Sequence, residues 1–242
     1  MSRSLPPLRS EVEEVSRVTA RLLNSFGMHC CLVGGAACSA FGVKRVPNDV
    51  DMVVMTNEDQ ESIKHRLVLA DSRFYFMSAK TPGATYKVLW FRLGLSLSRR
   101  SCKVDILCRG TMNIPDIPPH EIRHIGGLPV APILVVLCLK LQAWDHHGAA
   151  VEWRFRMKQP TDARDIAELL VFAVAGGEHV SKVGWLPQEF VKSANTRVND
   201  FLIADRATKD KWKALGLYQR QSAGTSSSTA GAVQSKFKFL VL

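Results

Sequence analysis

Residues Cys30 to Met55, CCLVGGAACSAFGVKRVPNDVDMVVM, constrain the fold of this chain more than any other stretch. A short apolar run, Cys30 to Val33, ends at Gly34-Gly35, and Ala36 to Phe41 are good or tolerable helix formers that stop at Gly42. The pattern predicts a strand, a tight glycine turn, a short helix and a second strand, Asp49-Val-Asp-Met-Val-Val. Alternate residues of a strand leave the same face, so Asp49 and Asp51 project together. Side by side they repel, unless they share a divalent cation; hard ions such as Mg²⁺ take carboxylate oxygens together with phosphates. Glycines at a helix start let a ligand approach the backbone, and the unpaired N–H groups of the first turn favour an anion. A Gly-Gly pair alone is an ordinary turn and an Asp-x-Asp alone an ordinary solvated face; their order and spacing carry the reading.

Ahead of this stretch, Ser10 to Phe26 keeps helical spacing through Val12, Val15, Val18, Leu22 and Leu23, with Ser10 and Glu13 suited to a capping box. Behind it, Asn57 as a cap, with the acids Glu58 and Asp59, opens a helix that runs to about Ala70. Phe74 to Met77 and Tyr86 to Leu93 read as strands joined by a Thr-Pro-Gly turn, and Lys103-Val-Asp-Ile-Leu107 as a half-buried strand bearing Asp105. Gly110 to Pro119 is rich in proline and reads as connection. Ile133 to Leu141 is apolar on all sides and predicts a buried helix ending near Lys140. Trp153, Phe155 and Met157 alternate with Arg154, Arg156 and Lys158 before a helix from about Thr161 to Ala175; a further helix is expected over Pro187 to Ala204. Residues 222–231, SAGTSSSTAG, have the composition of a disordered linker.

The strand, Gly34-Gly35, helix and Asp49-x-Asp51 order, with a third acid at Asp105, resembles the nucleotidyltransferase superfamily that includes DNA polymerase β. Lys140, the basic stretch after it and Lys158-x-x-x-Asp162-x-x-Asp165 resemble a second block in its minimal members, such as abortive-infection toxins and lincosamide nucleotidyltransferases. The resemblance implies an α/β (α+β) fold, a mixed sheet flanked by helices with a helical C-terminal part. It implies a catalytic domain over 1–110, a connection over 111–128, a helical domain over 129–218 and a disordered tail over 219–242. It also implies that Asp49, Asp51 and Asp105 hold Mg²⁺ or Mn²⁺, and that Gly34 and Gly35 seat the phosphates of an NTP. Arg45 and Lys140 would contact the triphosphate; read without the resemblance, Arg45 is a surface arginine. Asp162 would support Lys140 or the acceptor, with Asp165 competing for that role; without the resemblance these are a helix-start charge and an ion-pair partner of Arg164 or a neighbour. The implied reaction moves a nucleoside monophosphate, from ATP or another NTP, to an acceptor hydroxyl on a small molecule, a tRNA end or a protein. Two positions depart from the pattern: Ala36-Ala37, where many relatives keep a hydroxyl, and Pro47, where small toxins often carry Ser or Thr.

Composition bears on the rivals. A formal net charge of +10 suits a phosphate-rich ligand and equally an RNA partner, so a nucleotidyltransferase-like module that binds RNA or a protein is the alternative. A sugar transferase using Asp-x-Asp ranks lower, because such enzymes lack the preceding glycine turn. The longest apolar run, Val130 to Leu139, is shorter than the roughly 18 residues of a membrane span. The opening MSRSLPPLRS has no signal-peptide core, and the expectation is the cytosol or nucleus without membrane attachment. The six cysteines form no C-x-x-C pair and read as reduced core thiols.

Overall fold

The computed structural model describes residues 5–79, 86–94 and 100–218. The Thr-Pro-Gly turn and the expected C-terminal tail lie outside these residues. Helix α1 (Arg9–Ser25) leads into strand β1 (Cys30–Val33), helix α2 (Gly34–Ala40) and strand β2 (Asp49–Val54). Then follow α3 (Gln60–Ala70), β3 (Phe74–Ser78), β4 (Lys87–Arg92), β5 (Ser101–Cys108), β6 (Arg123–Ile125) and β7 (Leu128–Val130). The remainder is helical: α4 (Ile133–Ala149), α5 (Trp153–Arg156), α6 (Gln159–Ala175), α7 (Gln188–Ala204) and α8 (Lys209–Ala214).

The described strands form one mixed sheet in the order β3-β4-β5-β2-β1-β7-β6. Strand β2 is central and, apart from Asp49 at its mouth, wholly buried. A strand covered on both faces reads as a continuous apolar run, and Val50, Met52, Val53 and Val54 supply it. Burying each such side chain contributes about 1.5–3 kcal/mol. β1 runs antiparallel to β2, and β5 runs parallel to it in a register that sets Asp49 beside Lys103 and Asp51 beside Asp105. α1 covers β1, β2 and β7 with Val12, Val15 and Leu23, while α4 is buried among α2, α6 and α7.

Four local expectations change. α4 runs on past Lys140 to Ala149. α1 begins at Arg9 with Leu8 as its cap, because Glu11 reaches back to the Leu8 N–H at 2.6 Å; Ser10 and Glu13 do not form the start. α3 is capped by Asp59, whose carboxylate accepts from the Ser62 N–H at 3.1 Å, rather than by Asn57. The stretch read as connection carries the β6–β7 hairpin, whose Leu128–Val130 strand pairs with β1 and extends the sheet. All six cysteines are unbridged and buried. Among the described residues, no helix is long and apolar enough to cross a membrane.

Candidate active site

Gly34 is the first residue of α2 and adopts φ +59°, a left-handed conformation that glycine enters freely. A Cβ there would fall inside the Asp51 carboxylate, whose Cγ would lie 2.8 Å away. A Cβ at Gly35 would stand 2.9 Å from the Arg45 guanidinium and 3.3 Å from Pro47. The glycine pair is thus shaped to Asp51 and Arg45 before any ligand is considered.

Asp49, Asp51, Lys103 and Asp105 make a two-by-two block on neighbouring parallel strands. Asp51 is buried, and its pKa is pushed up to about 8, first by desolvation and then by the charges of Asp49 and Asp105. A carboxylate in that position fits a cation, which would offset both effects. Among the described residues, however, no three acidic, histidine or cysteine side chains close into a ready-made ion site. Asp105 is engaged by a cation of its own strand: its Oδ2 is 2.6 Å from the Lys103 Nζ.

The block borders a cleft of about 330 Å³ between the sheet and helices α4 and α6, where Gly34, Asp49 and Asp51 face Lys140, His147 and Lys158. Asp105 is not on the cleft wall. Lys140 projects from α4 and is buried, its Nζ 3.1 Å from Asp162 Oδ1 and 3.0 Å from Asp165 Oδ2. Arg45 donates to both oxygens of Asp165, from Nε at 3.0 Å and from a terminal nitrogen at 2.7 Å. Asp162 completes the chain by meeting His147 Nδ1 at 2.5 Å. Burial pushes the Asp165 carboxyl upward, but the bonds from Arg45 and the Lys140 charge outweigh it and hold the group below its usual range. Lys158 is held below the usual lysine value, first by burial, with the Lys103 charge acting in the same direction.

Gly34, Gly35, Arg45, Asp49, Asp51, Lys140 and Asp162 therefore share one cleft, while Asp105 stands beside it on β5. The partner of Asp165 is not Arg164 but Arg45 and Lys140, across the boundary between the α2 loop and the C-terminal helices. Lys103 and His147 were not singled out as site residues. Lys103 was legible as the i−2 neighbour of Asp105 on a strand; His147 carried no signal beyond its place near the end of α4. The Trp153–Lys158 stretch forms a helical turn, with Trp153 71% exposed and Phe155 lying beneath Arg154 and against the His147 ring.

The central acid-bearing strand, the glycine turn and the flanking helices define a fold of nucleotidyltransferase type. A solved structure described as an antigenic nucleotidyltransferase-like protein from Paracoccidioides brasiliensis matches 87% of this chain and 95% of its own, with 16% identity and a TM-score of 0.63. Weaker likenesses are to JHP933 from Helicobacter pylori (16% identity, 88% of this chain and 84% of that one, TM-score 0.48) and to the antibiotic-resistance factor ANT(2'')-Ia (12%, 83% and 96%, 0.42). No family model matches the chain, and no curated protein matches it in sequence. The likeness is therefore one of fold.

Proposed function

We propose that the cleft is the active site of a nucleotidyltransferase that moves a nucleoside monophosphate from an NTP to an acceptor hydroxyl and releases pyrophosphate. The observation that carries this reading is the pairing of Asp51 with Asp105 in register on parallel strands, beside Asp49, at a cleft whose other wall holds Lys140 and Lys158. Carboxylates on one wall and ammonium groups on the other suit a triphosphate bound with a cation.

Asp49, Asp51 and Asp105 would hold Mg²⁺ or Mn²⁺, which when bound supplies Lewis-acid charge against the triphosphate oxygens. Lys140 and Lys158 bring positive charge towards the leaving pyrophosphate, the kind of electrostatic help that dominates phosphoryl transfer. Asp162 and Asp165 hold the Lys140 ammonium from two sides, and Asp165 fixes Arg45 by two bonds. The acceptor oxygen attacks the α-phosphorus, the bond to the bridging oxygen breaks, and the acceptor's proton leaves to a carboxylate of the acid cluster. Gly34 and Gly35 line the cleft beside Asp51 and Arg45, where the phosphates would sit.

Calorimetric titration of each NTP with Mg²⁺ tests this on wild type and on Asp49→Asn/Asp51→Asn. Metal-dependent binding that the double variant loses is the expected result. No binding to any nucleotide would overturn it in favour of RNA capture by the basic surface around Arg154 and Arg156.

A further inference from the structure

Lys103 stands where a cation is wanted. It lies two residues before Asp105 on β5, so both side chains leave the same face, and its backbone is in register with Asp49 on β2. Three carboxylates and one ammonium thus occupy four adjoining positions of two parallel strands. The ammonium is 2.6 Å from Asp105 Oδ2, and both side chains are largely buried. A second cation, Lys64 on α3, also acts on Asp105, although its own Nζ is held by Glu61 at 2.7 Å.

We propose that Lys103 is a tethered cation of the acid cluster: its ammonium holds Asp105 out of the ion-binding set, so the nucleotide-free protein offers only Asp49 and Asp51 to a divalent ion. This rests on the nucleotidyltransferase reading of the site. Two features support it together: Asp105 is the one acid of the three that is absent from the cleft wall, and its Oδ2 lies 2.6 Å from the Lys103 ammonium. A monovalent charge on a four-carbon stem can swing aside when a triphosphate and its ion arrive, because the incoming ion satisfies the same carboxylate. Asp105 would then become the third ligand without movement of the strands, which the ladder between β2 and β5 fixes in register.

The test is Mn²⁺ binding to the nucleotide-free full chain, read from the electron paramagnetic resonance of the free ion and from the thermal shift that Mn²⁺ produces. Wild type, Lys103→Met, Lys103→Arg and the double variant Lys103→Met/Asp105→Asn are compared after circular dichroism shows that each is folded. Lys103→Met keeps the apolar stem and removes the charge. It should bind Mn²⁺ about tenfold more tightly or more, or take up a second ion, since a like charge at contact range has been removed. Lys103→Arg should match wild type. Asp105→Asn, introduced into Lys103→Met, should abolish the gain, because the gain is the entry of Asp105 into the ligand set. Unchanged Mn²⁺ affinity in Lys103→Met, or a gain that survives the added Asp105→Asn, would overturn the inference while leaving the active-site reading in place. Absence of Mn²⁺ binding in wild type and in Lys103→Met alike would overturn the inference, and the active-site reading falls with it only where Mg²⁺-dependent NTP binding is absent too.

Discussion

Gly34 and Asp51 occupy each other's space: the carboxylate of Asp51 fills the position that a side chain on Gly34 would take. Gly34→Ala must therefore displace Asp51 and also force alanine into a left-handed backbone at φ +59°. The backbone strain alone costs about 1–2 kcal/mol. Gly35 has no such backbone, and a Cβ there meets the end of the Arg45 side chain at 2.9 Å and Pro47 at 3.3 Å rather than an acid of the cluster. Urea unfolding should show Gly34→Ala clearly less stable than Gly35→Ala, and Mn²⁺ titration should show that only Gly34→Ala loses ion binding outright.

Asp51 predicts a pH dependence with a definite sign. Its folded-state pKa is about 8, above the ordinary carboxylate value, so the folded protein holds a proton that the unfolded chain has released. Stability of the metal-free protein should be greatest below the unfolded value. It should fall as pH rises through the window up to about 8 and level off beyond it. Asp51→Asn carries no charge and should lose this descent. Thermal unfolding in EDTA across that range should give a flatter profile for the variant, which should be the more stable of the two at the alkaline end.

Asp165 binds two cations at once, and its side chain is only 1% exposed. Asp165→Asn leaves Arg45 and Lys140 without their shared counter-charge, the situation in which breaking a buried pair costs about 3–5 kcal/mol. Arg45→Lys loses the two-pronged geometry but keeps the charge, and should cost less. Denaturant unfolding at neutral pH should rank wild type, Arg45→Lys and Asp165→Asn in that order of decreasing stability.

The glycine turn, the short helix and the Asp49-x-Asp51 strand were legible because each is a local pattern: an apolar run, a residue pair permitting an unusual backbone, and alternation across a strand. The β6–β7 hairpin was not read, although Gly126-Gly127, both at positive φ, is the pair that a tight two-residue hairpin turn demands. Its strands are only three residues long and one contains Pro129, so periodicity had nothing to act on. The partner of Arg45 was beyond any spacing rule, because 120 residues separate it from Asp165. The pairing exists only once α6 has packed on α4 and the α2 loop. The strand bearing Asp105 was legible, but its register beside Asp51 comes from sheet pairing, and its capture by Lys103 depends on side-chain geometry that strand alternation leaves open.

Arg9 offers a test of the site from outside it. From α1 its guanidinium donates to the carbonyls of Ser39 at 3.2 Å, Val43 at 3.1 Å and Lys44 at 2.9 Å, gripping the end of α2 and the loop that leads to Arg45. The same loop is held on its other side by the Lys44 N–H, which donates to Glu168 of α6 at 2.9 Å. A charged fork on several carbonyls contributes more than a neutral hydrogen bond, about 1.5–3 kcal/mol for each charged partner before solvent exposure reduces it. Arg9→Ala should therefore unfold at lower urea and speed hydrogen exchange at the amides of residues 43–45, without altering any residue that lines the cleft. If Arg45 is positioned through this loop, NTP affinity should fall in Arg9→Ala and recover only in part in Arg9→Lys, which restores charge but not the fork. Exchange rates equal to wild type at those amides would show that α1 does not brace the loop.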